Sequence, residues 1–123
     1  MRATAIRDWQ YRELRMATNS AFRERIRLGD DNATWTLDGA DVQMQIRTPP
    51  PDMVVVKSAS IGSGEISVHD AATRVIEFQI SSGSMSALPP GEYVYDLLVI
   101  ISGEARRRLA GPCIIEPGIT EAA

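Results

Sequence analysis

The chain has 123 residues, 44% hydrophobic and 24% charged, with a formal net charge of −3. That length fits one globular domain, burying roughly two-thirds of the surface its unfolded chain exposes, and the charge excludes a general attraction to nucleic acid or anionic membrane. A single cysteine, Cys113, excludes an internal disulfide framework, and the longest apolar run, "LLVII" at 97–101, is too short to span a bilayer.

The first fifteen residues, "MRATAIRDWQYRELR", contain no apolar stretch of the signal-peptide kind. Ile6 and Trp9 stand at helical spacing, but Tyr11, Leu14 and Met16 continue neither a helical nor a strand period. An N-terminal arm over 1–11 leading into a first strand is the expectation. Residues 1–30 hold seven arginines against four acids, while 31–123 hold six basic residues against twelve acids. Such a basic leading segment is either a solvated strand face or a docking arm.

"AFRERIRLG" puts Phe22, Ile26 and Leu28 on one side and Arg23, Arg25 and Arg27 on the other, a strand with one wet face. "DDNATWTLDG" supplies turn residues, and "ADVQMQIRT" alternates again with Val42, Met44 and Ile46 inward. "TPPPD" at 48–52 cannot continue a ladder, because proline lacks the amide donor. "MVVVKSASIG" reads as a β-branched strand, followed by a short strand "EISV" and a turn at "HDAAT". "RVIEFQIS" places Ile76, Phe78 and Ile80 on one face. "SSGSMSALPPG" is a loop with a brief helical turn around 84–88. "EYVYDLLVII", a "SGEA" turn and "RRRLAGPCIIE" complete the series.

About seven or eight short strands, with turn signals every 8–12 residues or so and no long amphipathic helix, predict an all-β fold. The architecture expected is a single antiparallel sandwich over 12–120, with a tail at 121–123. The Pro-Pro-Gly corner at 89–91 ends one sheet edge and delivers Tyr93 and Tyr95 into a central strand. A tyrosine at such a corner bonds nearby backbone while its ring packs in the core, so "PPGEYVYDL" reads as a folding device. "LLVII" is apolar at both parities, as expected of a strand buried on both faces or shielded by a neighbour.

Chemistry is sparse. His69, followed by Asp70 in a predicted turn, is the one histidine, and no serine sits on a Gly-x-Ser-x-Gly elbow. One histidine and one cysteine cannot furnish a tetrahedral zinc set. Asp30, Asp31, Asn32, Asp38 and Asp41 are rich in oxygen but do not match the twelve-residue calcium loop, and turn chemistry accounts for them. Nothing in the spacing of Glu65, Glu77, Glu92 and Asp96 selects a catalytic pair. "GSG" at 62–64 lacks the Gly-Lys-Ser/Thr of a phosphate loop. The "RRR" at 106–108 reads as edge decoration that discourages sheet aggregation. No catalytic residue, metal or cofactor is expected, and the chain is expected not to be an enzyme.

Over about 12–120 the layout resembles a family of small immunoglobulin-like domains of tailed bacteriophages and prophages. "ALPPGEYVYDL" is similar to that family's Leu-Pro-Ala-Gly-x-Tyr-x-Tyr-Asp-Leu segment. "LDGADVQMQIR" resembles its Leu-Thr-Gly turn and Met-x-Ile-Arg strand, "GEISVHDAATRVIEFQIS" its glycine-led hairpin, and "RRRLAGPCIIEPGIT" its closing strand. "ATNSAF" and "HDAAT" depart from the pattern. The resemblance implies an immunoglobulin-like sandwich and a non-enzymatic virion structural protein, joining or decorating tail, baseplate or fibre-attachment assemblies. It implies synthesis in a host cytoplasm, a place in the virion, other virion proteins as partners, and several copies in a symmetric assembly, without nucleic acid, membrane or cofactor. Capsid decoration or a collar role is the alternative, a carbohydrate- or receptor-binding module another, and a small hydrolase using His69 a third. On the virion reading, Trp9, Tyr11 and Arg12, with Arg106, Arg107 and Arg108, are the candidate protein interface.

Overall fold

The computed structural model describes residues 9–30 and 32–120. Its nine strands are β1 (Gln10–Tyr11), β2 (Leu14–Ala17), β3 (Phe22–Arg27), β4 (Asp41–Arg47), β5 (Val55–Ser60), β6 (Ile66–Asp70), β7 (Val75–Ile80), β8 (Gly91–Ile101) and β9 (Glu104–Glu116). One short helix, α1 (Ser82–Ser86), lies between β7 and β8. The sheets face each other as a sandwich: a large one in the order β1-β9-β8-β4-β5, with β2 also on β9, and a small one in the order β3-β7-β6. The all-β expectation therefore holds. The strand count exceeds the expected seven or eight because the leading segment itself supplies β1 and β2.

Alternation decides which side chains meet between the sheets. Ile76, Phe78 and Ile80 of β7 are fully buried opposite Val42, Met44 and Ile46 of β4 and Leu97 and Val99 of β8. Phe22 joins them from β3, its ring 5.6 Å from that of Phe78. At the second parity of β8, Leu98 and Ile100 are half-buried on the outer face, so within the chain the strand is not buried on both sides. At one end of the core, Ser81 caps α1 by accepting the Ser84 amide, and the helix buries Met85 there.

The corner of "PPGEYVYDL" behaves as its sequence predicts. The Tyr93 hydroxyl donates to the Pro89 carbonyl at 2.7 Å while its ring is buried. The next inward tyrosine reaches further: Tyr95 donates to the Arg12 carbonyl at 2.6 Å. That bond ties β8 to the leading segment across the intervening strand.

Both leading strands run parallel to β9. Gln10 and Tyr11 pair with Leu109 and Ala110, and Leu14 to Ala17 pair with Cys113 to Glu116. Arg12 and Glu13 therefore lie opposite Gly111 and Pro112. The chains come so close there that a β-carbon on Gly111 would stand 2.4 Å from the Arg12 carbonyl oxygen. Leu14 and Met16 then enter the core. The arm is thus part of the sheet from Gln10 onward; residues 1–8 of the expected arm and the tail at 121–123 lie outside the described residues.

The β8–β9 hairpin closes through Ser102 and Gly103, both at positive φ (52° and 79°), as a two-residue turn matching strand twist requires. The register then shifts by one residue, because Leu97 pairs with Leu109 but Leu98 pairs with Arg107. Arg108 is the extra residue of this bulge. A bulge re-aims side chains, so Arg107 and Arg108 take different neighbours.

Gly111→Ala should cost roughly 2–4 kcal/mol, the range of a backbone clash at a packed site. Gly39→Ala, at positive φ but with nothing within 4 Å of the added carbon, should cost about 1 kcal/mol. Urea unfolding of the two variants compares them, and equal losses would show that the Arg12 approach exerts no restraint.

Candidate functional site

The expected interface residues come from two distant stretches, and the parallel pairing of β1 with β9 brings part of them together. Trp9 and Tyr11 stand at the β1 edge of the large sheet, and the Arg107 guanidinium lies 5.3 Å from the Trp9 ring centroid. Arg107 also reaches Asp96 of β8 at 3.3 Å. These residues line a shallow depression of about 740 Å³ on the outer face of the large sheet. Val94 and Leu98 form its floor, and Pro50 and Met53, from the loop after β4, form the opposite wall. Arg47 stiffens that wall by donating to the Gln45 side chain and to the Met53 carbonyl.

The other expected residues point elsewhere. Arg12 pairs with Glu24 of β3, linking the two sheets at the rim. Arg106 pairs with Glu104 beside the hairpin turn. Arg108, displaced by the bulge, sits 4.1 Å from the Trp35 ring centroid. Trp9, Trp35 and Arg108 line a second depression of about 430 Å³ with the 29–34 loop. Trp9, Tyr11 and Arg107 thus form one group and Trp9 and Arg108 a neighbouring one, while Arg12 and Arg106 join neither.

Sequence reasoning missed Arg74. Only 5% of it is exposed, and its guanidinium donates to the backbone carbonyls of Leu28, Asp30, Ala33, Trp35 and Ala72. No carboxylate is among these partners. A buried guanidinium needs such a full set of acceptors, and here four of the five, Leu28, Asp30, Ala33 and Trp35, belong to the stretch between β3 and β4. Arg74 therefore fixes the loop that holds Trp35 under Arg108. The signal was faint in sequence: an arginine closing the "HDAAT" turn, where its positive φ of 61° gives no warning.

The outer face of the small sheet is charged. Arg25 lies 3.3 Å and Arg23 3.7 Å from Glu77, and His69 lies 3.9 Å from it. The Gln79 side-chain amide, and then Arg25, hold the Glu77 carboxyl below the ordinary carboxylate range. His69 belongs to the end of β6 and not to the predicted turn, which begins one residue after Asp70. Asp70 opens that turn by accepting the amides of Ala72 and Thr73.

The oxygen-rich stretch before β4 is used locally. Asp30 accepts the Asn32 amide, Asp38 the Thr36 hydroxyl, and Asp41 the Gln43 amide; Asp31 lies outside the described residues. Among the described residues, no three His, Cys, Asp or Glu side chains come together as a metal site. Glu65, bonded to Lys57 at 2.8 Å, and Glu77 belong to the small-sheet side, whereas Glu92 and Asp96 lie on β8. Cys113 is buried 4.0 Å from the Met16 sulfur, on a different sheet from His69.

No family model matches the chain, and no curated protein matches it in sequence.

Burial pushes the Cys113 thiol up to about 12. The native protein should therefore resist alkylation at pH 8 and react only when unfolded. The sign of the linkage is fixed: a raised folded pKa contributes stability below the unfolded value of about 8.5. That contribution is lost as pH climbs towards 12. Thiol titration with and without denaturant checks the first point, and fast native labelling would contradict it.

Proposed function

We propose that the chain is a non-enzymatic, immunoglobulin-like structural module of a tailed-bacteriophage virion, joining or decorating tail, baseplate or fibre-attachment assemblies through the outer face of its large sheet. The observation that carries the reading is the aromatic and aliphatic depression on that face. Trp9, Tyr11, Met53, Val94 and Leu98 gather on it, and the charged groups that share it include the Arg107–Asp96 ion pair and Arg47, which is bonded to Gln45 and the Met53 carbonyl. Apolar surface of this kind on a folded domain marks a place where another molecule sits.

The immunoglobulin-like reading is supported by the strand order, with a first strand parallel to the last, and by the Tyr93 hydroxyl on the Pro89 carbonyl. That corner falls in "ALPPGEYVYDL", the segment with the most specific resemblance to the phage family. A capsid decoration or collar role uses the same surface and differs only in position within the particle.

A carbohydrate- or receptor-binding module is the second reading, favoured by Trp9 and Tyr11 on a depression whose volume suits a small ligand. The Arg107 guanidinium against the Trp9 ring weighs against it, because a sugar would need that aromatic face. A saccharide-induced shift of tryptophan emission would favour this second reading.

Mass spectrometry and electron microscopy of particles purified from producing cells test the virion reading. The chain should appear in fixed stoichiometry with density of sandwich shape, and its absence from such particles overturns the proposal. Deleting residues 1–11 removes β1 but leaves Leu14 and Met16 in the core. That variant should keep its β-rich circular dichroism and lose incorporation.

A further inference from the structure

We propose that the outer face of the large sheet pairs with the same face of a second copy of this chain, about a two-fold axis crossing the depression. The proposal rests on reading that face as an interaction surface, and it names the partner. Among the described residues, four of the five exposed large apolar side chains lie on or beside it: Tyr11 at 64%, Met53 at 39%, Val54 at 58% and Val55 at 40% exposed. The fifth is Ile119, near the end of the described chain.

The two walls are complementary to each other. By the sheet order, Trp9 and Tyr11 stand at the β1–β9 side with the Arg107 cation, while Pro50 and Met53 stand beyond β4. The same loop exposes Asp52 between them. A two-fold operation sets the aromatic wall of each copy against the prolyl and methionine wall of the other, and Arg107 against Asp52. An isologous contact requires this self-complementarity, whereas a partner of different sequence would leave it without a use.

The available area is also of the right order. Five strands spaced about 4.8 Å apart, with β8 rising about 3.4 Å per residue, give a face of roughly 20 by 35 Å. That is near the ~800 Å² per partner of a standard stable interface. Pairing through the β5 edge is disfavoured instead, because that strand carries a register shift opposite Ile46 and Arg47 and a lysine at its centre.

Sedimentation velocity of the full chain, from low micromolar to several hundred micromolar, tests the proposal. A concentration-dependent monomer–dimer equilibrium is expected. Met53→Asp and Tyr11→Asp, both at exposed positions, should each raise the dissociation constant roughly tenfold or more, as loss of a central apolar anchor does. Circular dichroism should stay unchanged in both. Asp52→Arg should weaken the dimer, and adding Arg107→Asp should restore it. A monomer throughout the range overturns the proposal, as does a dimer indifferent to all of these substitutions. A monomer that nonetheless enters purified particles would defeat the two-fold pairing alone, and a dimer absent from particles would defeat the virion reading alone.

Discussion

Contact between the Arg12 and Gly111 backbones governs where everything of functional interest stands. Among the described residues β1 and β2 pair with β9 alone, and they change from one stretch of β9 to the next at this point. The Tyr95 hydroxyl grips the Arg12 carbonyl from the neighbouring strand, and the Arg12 amide donates to Ala110. With both polar groups of that residue engaged, the segment before it has one path along the sheet. Trp9 and Tyr11 are placed by that path. A glycine is needed at 111 for steric reasons, since any side chain would push against the crossing carbonyl.

A second fixed point is Arg74. Its five carbonyl acceptors replace the water that a free guanidinium would keep, and four of them belong to the stretch between β3 and β4. Trp35 is held between two cations as a result, with Arg74 at 5.5 Å and Arg108 at 4.1 Å from its ring centre. Rings attract such cations through their negative faces, by about 0.5–1 kcal/mol at exposed sites and more when desolvated. Trp9 lines both the depression that Trp35 and Arg108 share and the larger one.

Much of the sandwich was legible in the sequence, because each strand with one wet face announces itself by period two. Ile76, Phe78 and Ile80, or Val42, Met44 and Ile46, need no tertiary information to be assigned inward. The corner tyrosine was also legible, since Pro-Pro-Gly leaves few routes for the backbone and Tyr93 follows at the right distance. Less was visible where the fold depends on contacts distant in sequence. Gln10 and Tyr11 are both exposed, so no apolar period marks their strand; main-chain pairing to a segment about 100 residues away creates it. The "RRR" triplet looked like one basic spot, yet a one-residue register shift divides it among Glu104, Asp96 and Trp35. Arg74 was invisible for a related reason, as its acceptors are carbonyls, which every residue has. The meeting of Trp9, Tyr11 and Arg107 could be placed only once the parallel pairing was known.

The ion cluster on the small sheet has a bearing on acid tolerance. One carboxylate, Glu77, faces Arg23, Arg25 and His69, and its lowered pKa means that folding favours its ionised form. That preference steadies the sheet above the ordinary carboxylate range and fades as protons reclaim the group. Arg23 and Arg25 then lose their common counter-ion while keeping their own charge. Acidification thus leaves two like charges facing each other on the outer side of the three-stranded sheet, with the carboxylate that joined them gone.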